Sequence, residues 1–385
     1  MKPIDQNVPG GLPDRTWVEI DLAAVRHNAR VAQACLAEGT ETGILAVVKA
    51  NGYGLGMVPV ARAMEEEVRA FAVANVREAL TLREAGLSRP IYILGPALPQ
   101  EWEAVAAGGF CAAVSSLAEV AGYGAAAARR EVILPVHVVV DTGMGRAGVM
   151  PEEAAGVLRA VKDHPALTLD SVASHFPCAD DDPDYTRAQE GRFAALLGQW
   201  QPEGLAPCGR QLANSAGLLG YTPVPSGWAR AGLMLYGVSP LPAQQARLQR
   251  VVSWKTRVIL VKTLPAGHGV SYGRTFLTTR PTRVATLAVG YADGFPRQAS
   301  GQGAGVLLGG QRCALLGRVT MDQIMVEVTD LWPQPQCGDE AVLVGVQGDA
   351  EVTAAELAAH GGTIAWDLFT GLGPRVQRCY SNCIF

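Results

Sequence analysis

Residues 46–56 read AVVKANGYGLG: apolar residues run into Lys49, and Gly52, Gly54 and Gly56 follow at once. A lysine amine condenses with an aldehyde to a Schiff base, and burial lowers its pKa toward the range where that chemistry runs at neutral pH. Glycines immediately downstream let the backbone approach a bulky ligand closely. A lysine at the C-terminal end of a barrel strand stands where barrel enzymes carry their chemistry. On spacing alone, a solvated lysine closing a strand before an ordinary glycine loop explains the segment equally well. The pattern is not a Walker phosphate loop, in which the lysine follows the glycines.

The elements that would position Lys49 alternate. Short apolar runs end at or lie within GILAVV (43–48), AFAVA (70–74), PIYIL (90–94), FCAAV (110–114), LPVHVVV (134–140), TLDSVAS (168–174), RQLA (210–213) and GLMLY (232–236). Between them lie amphipathic stretches at 21–37, 57–67, 76–86, 116–130, 151–163 and 184–199. About eight strand-then-helix units point to an α/β chain with an N-terminal (β/α)8 TIM-type barrel, in preference to an open doubly wound sheet. Beyond residue 248 the runs become β-branched and are separated by Gly and Pro, with one helical pattern at 353–362, so a mostly-β C-terminal domain follows. The expected organisation is an extension at 1–13, the barrel at 14–248 and the β domain at 249–385. The early strand at 16–20 stands outside the barrel's alternation and is free to pair with the β domain.

Composition excludes several classes of function. Apolar residues make up 49% of the 385, enough for a large core without metals or cross-links, and no clustered His/Cys ligand pattern is visible, so no metal is expected. The net charge of −4 and the absence of a basic run leave no footprint for nucleic acid or an anionic membrane. No apolar run approaches the roughly 18 residues of a membrane span. The N-terminus lacks the pattern of a signal peptide. Eight scattered cysteines without a CxxC pair read as reduced thiols, hence a cytoplasmic protein.

AVVKANGYGLG closely resembles the pyridoxal-phosphate signature of the alanine racemase family, and ordered similarity continues from TWVEIDLAAVRHN (16–28) to GPRVQRCY (373–380). The resemblance implies pyridoxal 5'-phosphate as cofactor, Lys49 as its Schiff-base lysine and Tyr53 as a phosphate ligand. VDTGMGRAG (140–148) is similar to the segment whose arginine, here Arg146, contacts the cofactor's phenolic oxygen and the substrate carboxylate. SHFPCADD (174–181) brings His175 into the hydrogen-bond network of the cofactor site. ANSAG (213–217) supplies Asn214 and Ser215, and WARAGLMLYG (228–237) supplies Arg230, Gly232 and Leu233. In the family that arginine faces the pyridine nitrogen and the following backbone donates to the phosphate. A guanidinium there disfavours a protonated ring and weakens the electron sink, which favours racemisation over decarboxylation.

HGVSYGRTF (268–276) resembles the segment carrying the second base, here Tyr272, which in the family comes from the partner subunit of a homodimer with shared active sites. Racemisation removes a proton from one face of Cα and returns one to the other, so Lys49 and Tyr272 form an opposed pair. A free tyrosine titrates near pH ~10, so Tyr272 as a base needs positive charge nearby, which Arg230 would supply through His175. AVGYADGFPR (288–297) and GRVTMDQ (317–323) imply substrate contacts at Tyr291, Met321 and Asp322. The implied reaction is the interconversion of L- and D-alanine, supplying D-alanine for peptidoglycan. The same motifs suit a racemase of serine or another small amino acid. A non-catalytic pyridoxal-phosphate-binding protein resembles the barrel alone, and the segments around Tyr272 and Met321 weigh against it.

The chain departs from the family in three places. A lysine that is often carbamylated, seven residues before the arginine, is replaced by Val139, which cannot carry a carbamate. Trp366 stands where the family commonly has tyrosine; its indole N–H can still donate to the phosphate or a water but cannot accept. Leu55 stands where the signature usually has histidine.

Overall fold

Eight strands are short and parallel, and the first four of them are apolar on both faces, the pattern of strands covered on one side by helices and on the other by each other. In chain order, after β1 (Thr16–Asp21), they are β2 (Gly43–Val47), β3 (Ala70–Val73), β4 (Ile91–Ile93), β5 (Cys111–Val114), β6 (Leu134–Val139), β7 (Leu167–Ala173), β8 (Gly209–Gln211) and β9 (Trp228–Ala231). β9 closes onto β2 in parallel, Leu45 opposite Arg230, and completes a closed barrel. The computed structural model describes residues 14–36, 42–205, 209–221 and 227–382. The expected extension at 1–13, together with Cys208 and Cys383, lies outside the described residues.

Side-chain caps start the helices that follow the strands. Asp21, Asn75, Ser116, Asp182 and Asn214 each accept backbone N–H groups of the first turn, which the helix itself leaves unpaired. Part of the barrel interior is filled by Leu45, Val47, Ala70, Ala72, Tyr92 and Cys111.

The eighth strand corrects the sequence reading. GLMLY (232–236) is not a strand: Leu233–Tyr236 forms a buried 3-10 turn, and the strand is Trp228–Ala231. A short apolar run is ambiguous between strand and buried turn, and Arg230 concealed the real strand by placing a charge inside it. Short helices at Trp102–Gly108, Ser215–Gly220 and Ala365–Thr370 leave no amphipathic pattern in the sequence, two of them because their glycines look like loop.

Two compact units divide the chain: Asp21–Val251, and a second that runs to Ile20 and resumes at Val252–Ser381. The second is built on β10 (Val252–Leu264), a long strand whose burial alternates residue by residue from Val252 to Val258. β1 pairs antiparallel with β10, Thr16 opposite Thr256. The hairpin β11 (Gly269–Val270) and β12 (Phe276–Leu277) stands apart. β13 (Thr282–Leu287) pairs with β10 and with β16 (Ile324–Glu327). β14 (Gly305–Leu308) pairs with β15 (Gln311–Ala314) and with β17 (Glu340–Gln347), which pairs with β10 and β18 (Ala350–Val352). β19 (Gln377–Ser381) lies beside β1. The fold is thus a parallel α/β barrel followed by a mostly-β domain.

Candidate active site

The chain just past β2 winds the wrong way. After Lys49, the residues Ala50 (φ 53°, ψ 48°), Asn51 (54°, 46°) and Gly52 (62°, 47°) form a left-handed turn, and Tyr53 continues it at φ 53°. Left-handed backbone costs a residue with a Cβ about 1–2 kcal/mol, so Ala50, Asn51 and Tyr53 need outside support. The Glu78 carboxylate accepts the Ala50 N–H at 2.7 Å and the Ala74 N–H at 2.8 Å, tying the turn to the end of β3. Asn51 Oδ1 accepts the Met57 N–H at 3.1 Å. Glycine suits position 52, where φ is +62° and a Cβ would lie a tight 3.1 Å from the Met57 backbone. Strain of this kind collects at functional sites, and here it follows the residue expected to do chemistry.

Lys49, Arg146, His175, Ser215 and Gly232 all lie just past the C-terminal ends of barrel strands, and Arg230 lies within β9. Burial, foremost, and then the charges of Arg146 and Arg230 hold the Lys49 amine below the usual lysine range, against an opposing pull from Glu78. The neutral amine, the form that attacks carbonyl carbon, is therefore more populated than on a free lysine.

Arg230 is 6% exposed. Burial, and secondarily Arg146, bring its pKa down to about 10, so it stays cationic at neutral pH. One amino group donates to the carbonyls of Ser174 and of Leu212 (3.3 Å), and the other donates to Gln211 Oε1 at 3.2 Å. Nη2 also lies 3.0 Å from His175 Nδ1. A guanidinium only donates, so Nδ1 accepts and the imidazole carries its proton on Nε2. Burial first, then Arg230, Arg146 and Lys49, push the His175 pKa well below normal, and the ring is neutral.

Two hydroxyls converge on Gly232, those of Ser215 and Tyr53. Its N–H donates to the Ser215 hydroxyl at 2.9 Å, which also accepts the Met234 N–H at 3.4 Å. With its lone pairs engaged, the Ser215 proton is available to a ligand oxygen. A Cβ at Gly232 would sit 2.6 Å from the Tyr53 hydroxyl, so glycine leaves the space that the phenol occupies. Tyr53 stacks on Tyr236, centroids 4.5 Å apart, and Tyr236 donates to the Val47 carbonyl at 2.9 Å. Burial raises the Tyr53 pKa to about 12, keeping it a donor. Two hydroxyl donors at a glycine, a depressed lysine and a buried cation fit an aldehyde that carries a phosphate.

Asn214 plays a supporting part: its amide caps Gly217 N–H at 2.9 Å and donates to the Phe176 carbonyl at 3.4 Å, and so sets Ser215 in place. Leu233 is buried at the start of the 3-10 turn. Arg146 is exposed, on a loop whose Asp141 carboxylate accepts the N–H groups of Gly143 (2.9 Å), Met144 (2.8 Å) and Gly145 (2.8 Å).

In the β unit, Tyr272 tips the β11–β12 hairpin and is 70% exposed. It is flanked by Ser271 (φ 61°) and Arg274 (φ 48°), again left-handed. Ser271 Oγ donates to the Arg318 carbonyl at 2.6 Å, which seats the hairpin on the loop leading to Met321. The Met321 carbonyl accepts the Ala292 N–H at 3.1 Å and the Thr320 carbonyl accepts that of Tyr291 at 3.0 Å. Asp322 accepts from Arg375 at 2.8 Å, and Arg375 also donates to Asp293 at 3.0 Å. Trp366 is half-buried on the short helix Ala365–Thr370.

Sequence reading missed Glu78, Tyr236, Gln211 and Asp141. Asn75 and Glu78 have the spacing of a capping pair, which hides the second use of the carboxylate. The other three look like ordinary core or turn residues, and no sequence signal marks them. Among the described residues no group of three or more His, Cys, Asp or Glu is placed to hold a metal ion, and no helix is long and apolar enough to cross a membrane.

Residues 20–240 match the family model described as alanine racemase, N-terminal domain, and residues 251–380 match that of the C-terminal domain. An alanine racemase of Symbiobacterium thermophilum is 42% identical over 371 residues, covering 95% of this chain and 97% of its own. One from Halothermothrix orenii is 38% identical over 373 residues, covering 96% and 97%. The crystal structure of alanine racemase from D-cycloserine-producing Streptomyces lavendulae superposes with a TM-score of 0.89 at 36% identity, covering 97% of this chain and 99% of that one.

Proposed function

Because this chain belongs to the alanine racemase family, we propose that it interconverts L- and D-alanine at the C-terminal mouth of its barrel, with Lys49 and Tyr272 as opposed bases. The cofactor is pyridoxal 5'-phosphate, the group on which the family depends. The observation that carries the reading is the environment of Lys49: a half-buried amine with a depressed pKa, at the head of a strained turn whose Tyr53 meets Ser215 at Gly232.

When bound, the cofactor draws electrons from the substrate and acidifies its Cα–H bond. The Tyr53 and Ser215 hydroxyls and the backbone around Gly232 and Leu233 would hold the phosphate. Arg230, fixed by carbonyls and by His175, would face the ring nitrogen and disfavour its protonation, which restrains side reactions that need a stronger electron sink. Arg146 would hold the substrate carboxylate by its two parallel donors, with the Met321 backbone as a second contact. The Lys49 amine takes or returns a proton on one face of Cα, and the Tyr272 phenol serves the other. Tyr291 and Asp322 would line the entrance, and Trp366 would donate from its indole N–H.

We assign Tyr272 to the partner subunit's site within a homodimer. The product D-alanine would feed peptidoglycan. The six described cysteines are free, which supports a reducing cytoplasm. Chiral chromatography of products from L-alanine, L-serine and other small amino acids tests the reading. Conversion of L-alanine well above the rest is expected, and a stronger preference for serine would replace the assigned substrate.

A further inference from the structure

The loop that carries Arg146 is held from outside by one face of the helix Pro183–Trp200. Tyr185, Gln189 and Arg192 are spaced i, i+4 and i+7, so they line up on that helix. The Tyr185 hydroxyl donates to the Gly143 carbonyl at 3.1 Å. The Arg192 guanidinium donates from Nε to the Thr142 carbonyl at 3.3 Å and lies over the Tyr185 ring, 5.2 Å from its centroid. Gln189 is fully buried; its amide nitrogen donates to Thr142 Oγ1 at 3.0 Å and to the His175 carbonyl at 2.8 Å. The Thr142 and Ser174 hydroxyls are 2.6 Å apart. Only the nitrogen end of that amide is in use: Oε1 is buried without a partner.

Space is made for this contact. Gly143 has φ +145°, and a Cβ there would lie 2.3 Å from the Tyr185 hydroxyl. Residue 139, at the end of β6, is a valine and offers Arg146 no polar partner. Asp141 orders residues 143–145 from within, while the helix stripe anchors 142 and 143 to His175 and Ser174, whose backbones and side chains also hold Arg230. One amide therefore spans the loop of one site arginine and the strand end that holds the other.

We propose that Tyr185, Gln189 and Arg192 are positioning residues that fix the Arg146 loop, and through it the carboxylate-binding guanidinium, relative to His175 and Arg230. The proposal rests on the reading of Arg146 as the carboxylate ligand. Neither Tyr185 nor Gln189 touches substrate; each acts through the loop.

The test uses the cofactor-loaded full chain with Tyr185→Phe, which removes only the hydroxyl at a partly exposed site, and Gln189→Leu as the stronger variant. Three quantities are read: hydrogen exchange at the amides of 143–145, inhibition by propionate as a carboxylate without an amine, and KM against kcat for alanine. The clamp predicts faster exchange at 143–145. It also predicts a propionate inhibition constant and an alanine KM raised roughly three- to tenfold, the worth of one lost hydrogen bond, with kcat changed less than twofold and the melting temperature of Tyr185→Phe unchanged. Unchanged exchange in both variants overturns the proposal, and so does faster exchange with unaltered propionate inhibition. A wild type that propionate does not inhibit would instead contradict the role of Arg146, and exchange would still judge the clamp.

Discussion

The two bases we propose, Tyr272 and Lys49, are set up by different physical routes. The lysine amine is tuned by burial and by two arginines, whereas Tyr272 is presented on an exposed, left-handed hairpin tip. A base that serves one face of Cα is needed only for the proton crossing that face. Tyr272→Phe should therefore lower the rate of racemisation about 10²–10⁴-fold, while the visible band of the bound cofactor stays intact. Stopped assays by chiral chromatography check the first point and an absorption spectrum the second. Activity within twofold of wild type would remove Tyr272 from the mechanism.

Among the elements, the turn after β2 and the 3-10 turn after β9 meet at Gly232, where we propose the phosphate is held. A Cβ at this position would displace the Tyr53 hydroxyl, which cannot retreat freely because Tyr236 stacks behind it. Gly232→Ala should thus weaken cofactor retention by about 1.5–3 kcal/mol, the worth of a hydrogen bond to a charged group, and equilibrium dialysis of pyridoxal phosphate would read a tenfold to hundredfold rise in Kd. Retention equal to wild type would show that Tyr53 does not hold the phosphate. Most of the barrel was legible in the sequence because strands apolar on both faces and capped helices leave patterns, as at residues 43–48 and 76–86. The eighth strand was not, because a buried arginine interrupts its pattern. At the site, residues with distinctive chemistry in glycine-rich segments, Lys49 and Arg146, were legible. Glu78, Gln189 and Asp141 were not, since their roles arise from tertiary hydrogen bonds that no local pattern encodes.

At the scale of the whole molecule, two histidines are folded in neutral form. Burial first, and then Arg230, push His137 down to about 3, and His175 is likewise well below normal. The unfolded chain binds these protons near pH ~6.5 and the folded chain does not, so as pH falls below that value the unfolded state gains protons and stability drops. Each histidine contributes up to about 1.4 kcal/mol per pH unit until its folded pKa is reached. Urea unfolding between pH 7 and 4 should show this decline, and His137→Asn should shallow the slope by about one proton; an identical slope would mean His137 is charged in the fold. The partner-completed site we propose makes activity depend on association: specific activity should fall on dilution in step with dimer dissociation seen by sedimentation, and activity retained by a monomer would contradict the shared site.

We propose that the Lys49 amine binds the cofactor's aldehyde covalently. Borohydride reduction of the cofactor-loaded protein, followed by proteolysis and mass spectrometry, locates that bond. A reduced pyridoxyl-phosphate adduct on Lys49 and loss of the visible band are expected. An adduct on another lysine, or a cofactor that washes out of the reduced protein, would contradict it.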